Sequence, residues 1–325
     1  MTFGTPYSRR ARLATLLRAA AVTAAILALG GIVAVLLARP DARAVGAGSI
    51  LESPTTAPSP TPTQAAKPRG PRLIFAAPGG LRAAADSGPA AADGGPVAVL
   101  PGSSPGMAGP DVSPAGGRLA FSLRSHIWLS VVVSGAAVQL TDGAALDHAP
   151  SWSPDGTQLA FDRRRRGERG YDVWVMGADG SRQTNLTATR SGAAPDWSSQ
   201  GPIAFQRAFG IWRMDADGGG QELLTGGVPG IELAPDWSPD GRRIVFASFS
   251  SSGRRSDIWV MGSGGGGKRN LTARSSVRGT APAFSPDGRR IAFSAPSGIW
   301  VMSAEGTGLR NVVRGAGLST PAWLP

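Results

Sequence analysis

The sequence predicts an all-β chain: a six-bladed β-propeller of four-stranded antiparallel blades, preceded by one transmembrane helix and a disordered stalk. Three observations lead there. A phrase built on Pro-x-Trp-Ser-Pro-Asp-Gly returns along the C-terminal part, its prolines spaced 40, 45, 40, 47 and 39 residues apart. Residues 19–38 form a run of 20 without a charge. Residues 53–71 are rich in Pro and Thr and nearly free of large apolar groups.

The uncharged run, Ala19–Ala38, matches the ~20 residues a helix needs to cross a bilayer core of ~30 Å. Arg9, Arg10, Arg12 and Arg18 precede it, so the positive-inside rule keeps residues 1–18 in the cytoplasm and sends the bulk of the chain outward. The segment reads as a signal anchor. A cleaved signal is the alternative, with Ala42-Arg43-Ala44 as its site. Residues 39–71 form the linker, whose Pro/Thr-rich part cannot bury enough surface to order itself.

Residues 72–325 carry the repeats. The phrase begins at Pro110, Pro150, Pro195, Pro235, Pro282 and Pro321. Ser-Pro-Asp-Gly is a hairpin turn, with Pro presetting φ and Gly taking the left-handed position. Ile-Ala-Phe and Ile-Trp-Val-Met follow it, runs too short and too β-branched for helices. A short Leu-Thr strand completes each unit, making four strands. Gly (46) and Pro (27) together run well above the ~12 % of average usage, as many tight turns require. The last copy stops at Pro321-Ala322-Trp323, one strand into a blade. Arg72–Leu81 aligns without a gap on Arg290–Ile299, and Val97–Leu100 supplies an outer strand. The C-terminal strand therefore completes a sixth blade begun by the N-terminal strands.

The series P-x-W-S-P-D-G-x-x-I-A-F, I-W-V-M, N-L-T resembles the WD-like repeats of the TolB propeller family, over residues 72–325 and in five tandem copies. The family's separate α/β domain has no counterpart here. The resemblance implies protein–protein contact at the cell envelope.

Composition excludes several chemistries. Cysteine is absent and only His126 and His148 are present, which removes disulfides, thiolate metal sites, histidine-rich metal sites and Cys nucleophiles. The formal charge is +11, but residues 1–71 hold eight basic and two acidic residues, so more than half of the excess lies outside the repeats. Nucleic acid is not an expected partner. Gly102-Ser103-Ser104-Pro105-Gly106 matches G-x-S-x-G by letter, without the strand–turn–helix setting of a nucleophile elbow. His126, His148 and Asp147 fall on the same propeller face, so a triad is geometrically open. Asp215-Ala216-Asp217-Gly218 lacks the twelfth-position carboxylate of a calcium loop. Gly262–Gly267 with Lys268 lacks the Ser/Thr and helix of a phosphate loop. Asn185 and Asn270 fit glycosylation acceptors, and repeat phase also explains them. The nine tryptophans all fall in repeat slots and read as packing between blades. No catalytic residue, cofactor or metal is assigned.

Repeat phase does not explain Arg163, Arg164, Arg165 and Arg166, inserted between the second and third strands of one unit. Arg254 and Arg255 lie in a matching insertion. Arg190, Arg274 and Arg278 lie in connections that share the same face. These nine arginines are the binding candidates, read as exposed loop charges that contribute little to stability. The expected function is a membrane-anchored, extracytoplasmic, non-enzymatic recognition module, a monomeric propeller whose partner is a protein or an anionic envelope component. An extracytoplasmic hydrolase or lyase with its site at the channel mouth is the alternative.

Overall fold

The computed structural model describes residues 72–85, 98–100, 102–226, 230–253 and 255–324. The expected transmembrane anchor and stalk lie outside the described residues. The first three strands are β1 (Arg72–Ala77), β2 (Gly80–Ala85) and β3 (Ala98–Val99). Blade I holds β4 (Ala108–Val112), β5 (Arg118–Leu123), β6 (His126–Val131) and β7 (Ala137–Gln139). Blade II holds β8 (Leu146–Trp152), β9 (Gln158–Arg164), β10 (Asp172–Gly177) and β11 (Thr184–Asn185). Blade III holds β12 (Gly192–Trp197), β13 (Ile203–Arg207), β14 (Gly210–Met214) and β15 (Glu222–Leu223). Blade IV holds β16 (Ile231–Trp237), β17 (Arg243–Phe249), β18 (Ser256–Gly262) and β19 (Arg269–Asn270). Blade V holds β20 (Thr280–Phe284), β21 (Arg290–Ala295), β22 (Gly298–Ser303) and β23 (Arg310–Arg314).

The last strand, β24 (Ser319–Leu324), pairs antiparallel with β1, Trp323 opposite Leu73, in the order β24-β1-β2-β3. This closing blade joins the first and last strands, as the sequence alignment requires. The six inner strands β4, β8, β12, β16, β20 and β24 touch their neighbours all the way round. The fold is an all-β propeller of six four-stranded antiparallel blades.

The core follows from strand alternation. The second-strand phenylalanines Phe75, Phe121, Phe161, Phe205, Phe246 and Phe293 are fully buried between blades. The inner-strand Trp152, Trp197, Trp237 and Trp323 are buried too. The five third-strand tryptophans are only half-buried.

Each repeat motif has a bonding role. In the Ser-Pro-Asp-Gly turn, Ser153 Oγ donates to Asp155 Oδ1 at 2.6 Å, the Thr157 amide donates to the same oxygen at 3.0 Å, and Gly156 stands at φ 67°. The same serine-to-aspartate bond recurs at Ser238–Asp240 and Ser285–Asp287. The outer strands end before the Leu-Thr pair rather than on it, and the threonine just beyond each accepts an amide near the start of the Ile-Trp strand: Thr141 from Ile127, Thr187 from Val173, Thr225 from Ile211 and Thr272 from Ile258. Asn185 and Asn270 donate through Nδ2 to Asp172 and Asp257 and accept the Thr187 and Thr272 amides, so both side chains are committed inside the fold.

Two features were not predicted. Each inner strand carries a bulge whose residue before the proline is left-handed: Gly109, Ala149, Ala194, Ala234, Ala281 and Thr320, at φ 44–55°. Five of the six are not glycine, although proline biases its predecessor toward extended backbone. The second feature is a ring of latches one residue past the proline. Asp111 Oδ2 accepts the Trp152 amide at 2.7 Å, Ser151 Oγ the Trp197 amide at 2.9 Å, Asp196 Oδ2 the Trp237 amide at 2.6 Å, and Asp236 Oδ2 the Phe284 amide at 2.7 Å. Each latch joins one blade to the next. Ala283 and Ala322, at the same repeat position, cannot form one.

Candidate binding face

The loops between second and third strands share a face with the connections between blades, because successive strands alternate direction. Side-chain contacts confirm the grouping. Glu168 in the blade II insertion lies 3.5 Å from Arg165 and 3.6 Å from Arg190, which sits in the following connection. Arg255 reaches from the blade IV insertion to the carbonyls of Thr272, Ala273 and Ser275. The insertion also needs Gly170: a Cβ there would lie 1.7 Å from the Arg190 carbonyl oxygen.

The nine candidate arginines separate into distinct roles. Arg163 is not a free surface charge. β9 continues through the arginine run to Arg164, so alternation turns Arg163 inward. Its Nε and Nη2 donate to the two carboxylate oxygens of Asp147 at 2.7 and 2.9 Å, and Nη1 donates to Gln183 at 2.7 Å. The guanidinium carbon stands 5.1 Å from the Phe161 ring and 5.0 Å from the Trp174 ring. Asp147 is fully buried. Blade III repeats part of this arrangement, Arg207 lying 4.7 Å from the Trp212 ring and donating to Gln221. Arg255 is also occupied, its Nε 3.0 Å from both Asp257 oxygens. Arg254 lies outside the described residues.

Arg164 lies over Tyr171 and Arg165 over Trp174, at 5.5 and 5.6 Å. Arg190 is exposed, its Nε 3.6 Å from Glu168. Arg166, Arg274 and Arg278 are exposed, as is Arg169 in the same insertion as Arg166, and none of the four has an ion-pair partner among the described residues. Arg207 was not among the expected candidates; its signal is the strand alternation that runs past Phe205 to the end of β13.

The opposite face uses its arginines differently. Arg118 lies 4.6 Å from the Trp152 ring, Arg243 5.4 Å from Phe284 and Arg290 5.2 Å from Trp323, each on the next blade. Arg118 and Arg243 also donate to the turn carbonyls of Gly156 and Gly288. These cations serve blade-to-blade contacts.

The triad reading fails on geometry. Asp147 is taken by Arg163, so it orients neither histidine, and Ser103 donates to the Leu81 carbonyl at 2.9 Å. His148 Nδ1 instead faces Asp162 Oδ1 at 3.8 Å.

Residues 203–325 match the family model described as the TolB beta propeller domain. The chain is 33 % identical over 120 residues to the protein TolB homolog of Chlorobium luteolum, covering 35 % of this chain and 26 % of that protein. It is 32 % identical over 103 residues to the uncharacterized peptidase YuxL of Bacillus subtilis, covering 28 % and 16 %. The crystal structure of TolB from Acinetobacter baumannii superposes with a TM-score of 0.66 at 20 % identity, over 78 % of this chain and 67 % of that one. The repeats are of the TolB type. The aligned part spans about a quarter of the TolB homologue's length and less of the peptidase's.

The TolB-type ring places three latch carboxylates, Asp111, Asp196 and Asp236, around the axis. All three are half-buried. Burial pushes Asp111 up to about 6 and Asp196 up to about 7, and raises Asp236 well above the carboxylate range; mutual repulsion adds to the last two. The amides they accept pull the other way without winning. Away from the axis, burial also lifts Asp162 and Glu232 to about 7. Among the described residues, no group of three or more His, Asp or Glu is arranged to hold a metal ion.

Proposed function

We propose that this chain is a membrane-anchored, extracytoplasmic, non-enzymatic interaction module that captures an anionic protein or envelope component on its arginine face. The observation that carries the reading is where the exposed arginines sit: Arg166, Arg169, Arg274 and Arg278 stand without ion-pair partners among the described residues, in the blade II insertion and in an inter-blade connection that open on one face. The TolB-type fold supports protein interaction, and the uncharged run at residues 19–38 supports anchorage with the propeller outside. Arginine's planar fork suits carboxylate and phosphate groups.

The second reading, a hydrolase or lyase at the channel mouth, draws on the likeness to a named peptidase and on the raised carboxyls at the axis. Those carboxyls already serve as latches between blades, which favours a structural role for them.

The test is capture from an envelope fraction. Changing Arg166, Arg169, Arg274 and Arg278 to Ser weakens capture and flattens its salt dependence, because rim charges speed encounter and are screened over ~8 Å at physiological salt. The melting temperature barely moves. Changing Arg182, Arg242, Lys268 and Arg289 on the opposite face leaves capture unaffected. Equal losses from both sets would reduce the effect to net charge and remove the face assignment.

A further inference from the structure

Blade I carries an apolar corner on the face opposite the arginine loops. Val131, Val133 and Val138 are 45, 86 and 55 % exposed, three of the five large hydrophobic side chains exposed among the described residues. The other two, Phe209 and Leu223, belong to blade III. All three valines stand on the β6–β7 hairpin. The Val132 amide donates to the Gly117 carbonyl, which sets this hairpin beside the turn between β4 and β5, where Pro114 and Ala115 are exposed too. The repeat puts carboxylates at this end of the other blades. Ala115 replaces the turn aspartate seen at Asp155, Asp240 and Asp287. Val133 replaces Asp179 and Glu305, since Val131 pairs with Arg118 as Gly177 pairs with Gln158 and Ser303 with Arg290. Blades II to V each keep at least one of these two carboxylates, blade III through Asp217, and all of them are exposed. Blade I keeps neither; its one acid between residues 108 and 139 is the latch Asp111.

Single surface valines are ordinary, but three on one hairpin with the flanking carboxylates removed mark a surface that gains by leaving water. A lipid headgroup layer fits it. Its phosphates repel carboxylates, which are missing here, and its boundary with the acyl chains accepts aliphatic side chains. Chain connectivity agrees. Residues 39–71 lead into the propeller at Arg72, the start of β1 in the closing blade, and that blade touches blade I through β24 and β4. β1 and β5 are both second strands and begin at the same end, so the tether joins the face that carries the apolar corner. Its 33 residues, extended at ~3.1 Å each, allow either face to turn toward a bilayer, and surface chemistry selects between them. Tethering also raises the effective concentration of the contact, so a small apolar surface suffices. We propose that the blade I corner docks on the lipid surface of the membrane that holds the chain, leaving the arginine face directed away from the bilayer. The inference rests on the proposed anchorage.

The chain has no cysteine, so one introduced cysteine carries a fluorophore at a chosen site. Val133→Cys and Arg169→Cys, on opposite faces, are labelled in the full-length protein. Each is reconstituted in vesicles of phosphatidylcholine with a minority of phosphatidylglycerol and a lipid spin-labelled in its headgroup. The label at 133 is quenched roughly threefold more than the label at 169, because a docked apolar surface lies ~5–10 Å into the headgroup boundary. With the label moved to Ala115→Cys, Val131→Asp and Val133→Asp together bring quenching down to the level at 169. Melting curves establish that the variants fold. Quenching at 169 that equals or exceeds that at 133 overturns the docking, as does quenching at 115 that survives the two aspartates. Energy transfer between copies labelled at 133, without quenching, overturns it in favour of a second copy of the chain. Alkaline carbonate extraction reads the anchor separately. A chain retained by the vesicles yet unquenched at 133 overturns the docking alone. A released chain overturns the anchorage, and the docking then stands or falls with the quenching at 133.

Discussion

Replacing Arg163 with Ser lowers stability by about 3–5 kcal/mol, the cost of leaving a buried charge without its partner. Asp147 is fully buried and receives two guanidinium bonds from Arg163. The serine cannot reach it, and the stacking on Phe161 and Trp174 is lost with the guanidinium. The pair itself is not the source of the effect. Asp147→Leu combined with Arg163→Met removes both charges together and recovers most of the loss, because desolvation offsets much of what a buried pair gains. Urea unfolding midpoints of the two variants give the comparison. A single variant that unfolds with the parent would show that Asp147 finds water or another cation.

Stability also falls as pH rises from about 4 to about 7.5. Asp111, Asp162, Asp196, Asp236 and Glu232 all have folded pKa values raised above their unfolded ones. The folded state therefore holds more protons than the unfolded state across that window, and raising the pH costs stability. Burial lowers His148, which works in the opposite direction below its unfolded value of 6.5, one group against five. The turn aspartates Asp155, Asp179, Asp240 and Asp287 are lowered, chiefly by hydrogen bonds from the neighbouring serine, so their contribution is lost only in stronger acid.

Asp196 separates charge from latch. Asp196→Asn keeps an oxygen for the Trp237 amide and removes the charge, so at pH 8 it stabilises the fold by about 1–2 kcal/mol, below the full value of the shift because Asp196 is only half-buried. Asp196→Ala orphans that amide and destabilises by ~1–3 kcal/mol. Melting temperatures at pH 5.5 and 8 measure both. A parent protein more stable at pH 8 than at pH 5.5 would contradict the sign.

What the sequence disclosed was local or periodic. The Ser-Pro-Asp-Gly turn closes over four residues, so its letters name its geometry. Ring closure was legible because Arg72–Leu81 repeats Arg290–Ile299, and Ala77 pairs with Gly80 in the register of Ala295 with Gly298. The latches were not legible, because Asp111 and the Trp152 amide stand 41 residues apart in different blades. The bulges were hidden because a left-handed alanine before proline runs against local preference at both residues. The arginine run misled for a related reason. Five charges in a row, Asp162 to Arg166, look like a loop, yet β9 reaches Arg164, and alternation sends Arg163 to Asp147 and Asp162 to the neighbouring blade.

Site-specific photo-crosslinking in intact cells tests the arginine-face assignment most directly. A photoreactive residue is placed at Arg169, at Arg274 and, on the opposite face, at Arg242. The account predicts one common product from positions 169 and 274, dependent on Arg166 and Arg278, and none from 242. Crosslinks to that product from 242, or from neither loop position, would contradict it.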